Sequence, residues 1–239
     1  MRGRILIFCS TIGILFFLFM IESAWSGLVI EEVHQDREGR MVKIIRSYSG
    51  HQFRTDHPEA GVSTIIDFEG DRLVMIDHGS RSYVEIKFSL WEREVAERLK
   101  RSVPRVRTRE RRITVIRTGQ RAVINGFKTE KIEVRADGEL LEENWMTRDI
   151  DLGEVERVME RLARSFSKEF KREMEEGREI YEKLRPYGLP ILTMDYQLTY
   201  GLGPIPVMEV KKIERKELGK DLFLPPPDYQ RILPEPSKR

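Results

Sequence analysis

The side chains able to do chemistry are plentiful in this chain, but they do not fall into a catalytic spacing. Four histidines, His34, His51, His57 and His78, are scattered over predicted strands and turns. None has the spacing that gathers zinc ligands, although His51 and His57 are near enough in sequence to meet in space. The single cysteine, Cys9, lies in an N-terminal apolar run, so neither an intramolecular disulfide nor a thiolate metal site is expected. There is no G-x-S-x-G elbow, Walker loop, G-x-G-x-x-G or H-E-x-x-H pattern. Gly201-Leu202-Gly203-Pro204 carries two glycines but no predicted helix follows, which removes the helix N-terminus a phosphate needs. Asp67, Asp71 and Asp77 fall at turns, where aspartate bonds its own backbone. No catalytic residue, cofactor or metal is therefore assigned. A hydrolase would need histidine and carboxylate brought together in a cleft.

Two other groups of residues suggest binding. Methionines and aromatics recur on predicted strands (Met75, Trp145, Met146, Met194, Tyr196, Met208) and stripe the predicted helices (Trp91, Met159, Phe166, Phe170, Met174). They make either ordinary core or the adaptable lining of a cavity that takes acyl chains. On the second reading the candidate lining is Met75, Val84, Ile86, Trp145, Met194, Tyr196 and Leu198. The other group is basic: residues 98–112 hold eight Lys or Arg against one acid, Glu110, with Arg105, Arg107 and Arg109 in alternation. That stretch is a solvated connector or a contact for anionic headgroups or other envelope polyanions. A net charge of +2, from 42 basic and 40 acidic side chains, leaves no whole-molecule field for nucleic acid, and none is expected as a partner. A hydrophobic share of 40% excludes a disordered chain and a charged share of 34% excludes a polytopic membrane protein.

The elements that would position these residues are mostly strands. Residues 28–30 and 41–45 are followed by a meander at 62–68, 72–76 and 83–88, with turns at Glu69-Gly70-Asp71 and Asp77-His78-Gly79-Ser80. Ser89-Leu90-Trp91-Glu92 has the form of a capping box opening a short helix that Pro104 ends. Further strands are expected at 113–116, 122–124, 127–135 and 139–147, with Asn125-Gly126 a strong hairpin signal. Asp149 or Asp151 then caps one long helix, Asp151 to Arg185, with a 3.6-residue apolar stripe ended by Pro186 and Gly188. Strands resume at 192–200 and 207–213, before an apolar tail, Leu222 to Pro227, whose prolines bar it from central pairing.

Arg2 and Arg4, an apolar run from Ile5 to Ile21, and Ala24 and Ser26 beyond it have the order of a secretory signal peptide. Residues 1–26 are thus expected to be a signal peptide and 27–239 one domain, exported to the periplasm; an uncleaved membrane anchor is the alternative.

The meander TIIDFEGDRLVMIDHGSRSYVEIKF (Thr64 to Phe88), the segment INGFKTEKIEVRADGELLEENWMTRDI (Ile124 to Ile150), LTMDYQLTY and the closing DLFLPPPDY together resemble bacterial envelope proteins of unknown function with the LolA/LolB/RseB-type fold. The resemblance implies an α+β architecture, a strongly curved antiparallel sheet forming an open half-barrel, with one short and one long helix on its concave side. It also implies a non-enzymatic carrier or chaperone whose cavity holds a lipid or lipoprotein acyl chain, with peripheral membrane contact. The alternative is an interaction or sensor module that meets an envelope protein through residues 98–112 or the long helix.

Overall fold

The computed structural model describes residues 26–36, 38–102, 111–167, 175–196 and 204–233. In chain order the elements are β1 (Ser26–Gln35), β2 (Met41–Ser49), β3 (Gln52–His57), β4 (Val62–Asp67), β5 (Arg72–Asp77), β6 (Ser82–Lys87), α1 (Phe88–Ser102), β7 (Ile113–Ile124), β8 (Phe127–Ala136), β9 (Glu139–Thr147), α2 (Gly153–Ser167), α3 (Glu175–Leu184), β10 (Leu189–Asp195), β11 (Ile205–Glu217) and β12 (Gln230–Ile232). All the described strands belong to a single open sheet, in the order β12-β6-β5-β4-β3-β2-β1-β11-β10-β9-β8-β7. Every pair is antiparallel except β12 on β6. The first strand thus lies inside the sheet, flanked by β2 and β11.

Local chemistry accounts for most boundaries. Asn125 and Gly126 both take positive φ, 51° and 86°, the geometry of a two-residue turn whose twist matches its flanking strands. The two expected strands at 113–116 and 122–124 are one strand, β7, interrupted by an irregularity between Arg117 and Arg121. Strand β3 is absent from the sequence reading because its residues, QFRTDH, lack apolar alternation; all are half-buried between β2 and β4.

Register sorts the side chains into two faces. Leu28, Tyr48, Phe53, Ile66, Leu73 and Ile86 are cross-strand partners in one row from β1 to β6. This row packs under α1 and α2 through Phe88, Trp91, Val155, Val158 and Leu162. Toward β7 the same face is closed by α3, whose Leu184 and Ile180 join Ile113, Ile132, Val134 and Met146. The opposite face of β3–β6 is covered by the chain after β11. Phe223, 1% exposed, sits among Ile65, Val74 and Ile76, with Leu218, Leu222 and Tyr229 around it. This C-terminal strap obeys the expectation for its prolines: it crosses a sheet face and pairs only at the edge, as β12.

Three features correct the expectations. The helices described number three, not one short and one long. Arg185 bridges Glu156 at 3.1 Å and Glu160 at 3.0 Å, whereas one straight helix would hold residues 156 and 185 about 44 Å apart. So α2 and α3 run back past each other, and an unbroken apolar period does not reveal the reversal. The capping box is also absent. Asp71, at φ 47° in the β4–β5 turn, accepts from the Ser89 backbone N–H and hydroxyl, both at 2.8 Å, while Glu92 Oε1 is buried with no hydrogen-bond partner among the described residues. A residue distant in sequence thus supplies the cap. Finally, His51 and His57 stand at opposite ends of β3, about 20 Å apart, and do not meet. The cap at α2 is as expected, with Asp151 Oδ1 accepting from the Gly153 N–H at 3.1 Å.

Candidate functional site

One row further along the helix-covered face the packing changes. Ile30, Arg46, Thr55, Thr64, Met75 and Val84 are cross-strand partners from β1 to β6. Leu73 in the neighbouring row is 1% exposed, yet Met75 is 39% exposed. Neither Met75 nor Val84 belongs to the clusters formed under the helices. A methionine left half in solvent beside a closed core is an adaptable apolar surface. The row therefore runs from a cation on β2, across two hydroxyls, to an apolar end on β5 and β6.

At its polar end lies a group that sequence reasoning missed. The Glu32 carboxylate is buried; its Oε1 is ion-paired with Arg46 Nη1 and lies 3.1 Å from His34 Nε2, neither contact having hydrogen-bond geometry. The alternation Ile30, Glu32, His34 on one face of β1 was the available signal, since Glu32 then occupies a core position. A charge there requires a partner, and cross-strand pairing brings Arg46 alongside. Polar side chains continue on the same face of the other half-sheet. Thr193 donates to Asn144 Oδ1 at 2.8 Å, and Asn144 donates to Glu142 Oε2 at 2.9 Å. Burial pushes the Glu142 carboxyl above its ordinary value; the Asn144 bond opposes this and the facing Asp195 adds to it.

The strap face holds a second network. Ser63 donates its hydroxyl proton to Asp56 and contacts His78 Nε2 at 2.8 Å, while His78 Nδ1 lies 3.0 Å from the Tyr229 hydroxyl. Arg54 binds Asp56, Ser63 and the Leu222 carbonyl. A serine beside a histidine invites comparison with a nucleophile and base. Here the only serine proton goes to Asp56, so His78 Nε2 is the donor to Ser63, the reverse of activation. Ser63 is also 2% exposed, which leaves no approach for a substrate. The network anchors the strap, together with Arg72 donating to the Phe223 carbonyl at 3.1 Å and the Arg81–Asp228 ion pair.

The candidate lining residues divide between the faces. Met75, Val84 and Ile86 share the helix-covered face, with Met75 directly paired to Val84. Trp145 and Met194 pair with Lys131 and Glu143 on the opposite face, and Tyr196 bonds Glu143 there. Register parity therefore prevents these two groups from lining one cavity. Leu198, Arg105, Arg107 and Arg109 lie outside the described residues. Of the basic segment's end, Arg111 binds Glu176 of α3 at 2.9 Å. Among the described residues no three His, Cys, Asp or Glu side chains converge on a metal position, and no helix is long and apolar enough to cross a membrane.

Among solved structures, the chain is similar to an uncharacterized conserved protein from Thermus thermophilus, at 9% identity and a TM-score of 0.43, with 93% of this chain and 99% of that one covered. Two structures of PNGF-II match at 10% and 11% identity with TM-scores of 0.34 and 0.35. These cover 87% of this chain and 32% and 31% of theirs, so the chain spans about a third of that protein's length. Likenesses at these scores carry no functional argument. No curated protein matches the sequence. Residues 48–229 match the family described as a domain of unknown function (DUF4412), and the chain belongs to that family.

Proposed function

We propose that this is a non-enzymatic envelope protein that binds a lipid or lipoprotein acyl chain against the helix-covered face, in the manner of a carrier or chaperone. The observation that carries the reading is Met75, 39% exposed and paired to Val84 beside a row that is otherwise closed. An open sheet of this many strands coils under its own twist, which supports a half-barrel with the helix-covered face concave. On that reading the lining contracts to Met75 and Val84, with Ile86 packed under the helices beside them, and Trp145, Met194 and Tyr196 belong to a separate surface. The N-terminal apolar run supports export to the periplasm, through a cleaved signal peptide or a retained anchor. The interaction-module alternative has less support, because Arg111 is engaged within the molecule and the long helix is a pair.

Mass spectrometry of lipids extracted from the protein purified out of a bacterial envelope tests this reading. Acyl species are expected in the wild type and at much lower occupancy in Met75→Asp. A lipid-free protein that also takes up no fluorescent fatty acid in vitro overturns it.

A further inference from the structure

The row that holds Met75 has a chemically distinct far end. We infer that the bound molecule is a single-chain amphiphile with an anionic head, and that Arg46 is the residue that selects it. This rests on the acyl-chain reading of the same face and adds the polarity and placement of the head. Four observations carry it. Arg46 and Val84 occupy one cross-strand row with Thr55, Thr64 and Met75 between them, a span of four strand spacings or about 19 Å. Arg46 is not used up by Glu32: contact is through Nη1, and the side chain keeps 31% of its surface. The rest of the guanidinium, a planar fork of five donors, has no partner among the described residues. The Thr55 and Thr64 hydroxyls likewise have none there. Glu32 Oε1 takes only the Nη1 corner of the guanidinium, so Arg46 can stay paired to Glu32 while its other nitrogens engage a ligand.

The chemistry shared by a fatty-acid carboxylate and a monoalkyl phosphate fits this arrangement, since both offer two or more oxygens to a guanidinium edge. An uncharged alcohol of the same length fills the apolar end and leaves the cation unanswered. Glu32 sets how strongly the site attracts an anion, because its charge offsets that of Arg46.

The test is displacement of an anthroyloxy-labelled stearate from the full chain by dodecanoate, dodecyl phosphate and dodecanol. The wild type is expected to prefer either anion over the alcohol by about tenfold or more. Glu32→Gln is expected to tighten anion binding. The double substitution Glu32→Gln with Arg46→Gln removes a whole ion pair, avoids stranding a buried charge, and is expected to bind all three competitors alike. Stronger competition by dodecanoate than by dodecyl phosphate assigns a carboxylate head, and the reverse order a phosphate; both outcomes support the inference. Equal affinity for anion and alcohol in the wild type, or an anion preference that survives the double substitution, overturns the inference and leaves the acyl-chain reading standing. Failure of the probe itself to bind overturns both.

Discussion

Strands β3–β6 carry an apolar layer on each face, and the two layers are finished differently. On the strap face Ile65, Val74 and Ile76 are closed under Phe223, and the polar side chains beside them are tied into the Arg54–Asp56–Ser63–His78–Tyr229 network. On the helix-covered face the closure stops after one row, between Leu73 and Met75. A layer that serves only stability is expected to be filled to its edge, because an uncovered apolar side chain forgoes roughly 1.5–3 kcal/mol of burial. The incomplete layer is the one on which the proposed binding rests. The complete one belongs to the scaffold, even though it contains the serine–histidine contact that looks most like catalysis.

Substitutions can break or sharpen that contrast. Phe223→Ala, which empties the centre of the strap layer, is expected to cost about 4 kcal/mol in chemical denaturation. A loss near zero would mean that the strap is not part of the folded core. Within the helix-covered face, Leu73→Ala is expected to cost about 3 kcal/mol and Met75→Ala less than about 1 kcal/mol; equal losses would erase the distinction between the rows. Ser63→Ala is expected to cost about 1–2 kcal/mol, because Asp56 and Arg54 keep each other. In the wild type Ser63 should resist a fluorophosphonate probe, and covalent labelling there would reverse the assignment of its network.

Two pH experiments give smaller effects. The Ser89 N–H and hydroxyl hold the Asp71 carboxyl below its ordinary value. Its contribution is thus present above the unfolded carboxylate pKa and is lost as pH falls through the folded one, so Asp71→Ala should flatten the acid limb of a stability profile. Glu142 has the opposite sign, being raised by burial. Its ionisation destabilises the fold as pH rises through the carboxylate range, and Glu142→Gln should raise the melting temperature at neutral pH more than at acidic pH. No change in this difference would show that the Asn144–Glu142 pair is better solvated than its burial implies.

Much of the fold is legible in short stretches. The hairpin at Asn125-Gly126, the Asp151 cap, the meander and the exclusion of Leu222 to Pro227 from central pairing all depend on neighbours within a few residues, where backbone sterics and alternation decide. Strand β3 lacks that signal, since it is held by partners on both sides and not by its own pattern. The candidate site is legible only in part. Met75, Val84 and Ile86 stand out as apolar residues on strands, and they do lie together. Trp145, Met194 and Tyr196 have the same character in sequence, but separating them from the first three requires knowing the parity of strands joined through three irregular registers.

Residue types and spacing are thus enough to establish an antiparallel sheet with a few helices and most of its strands, because those follow from local torsions and periodicity. The reversal between α2 and α3, the capping of α1 by Asp71, the pairing of Glu32 with Arg46 and the point at which the helices stop covering the sheet arise from contacts between distant segments. No local rule encodes them, since each is decided by which strand lies next to which and by how far each covering element reaches.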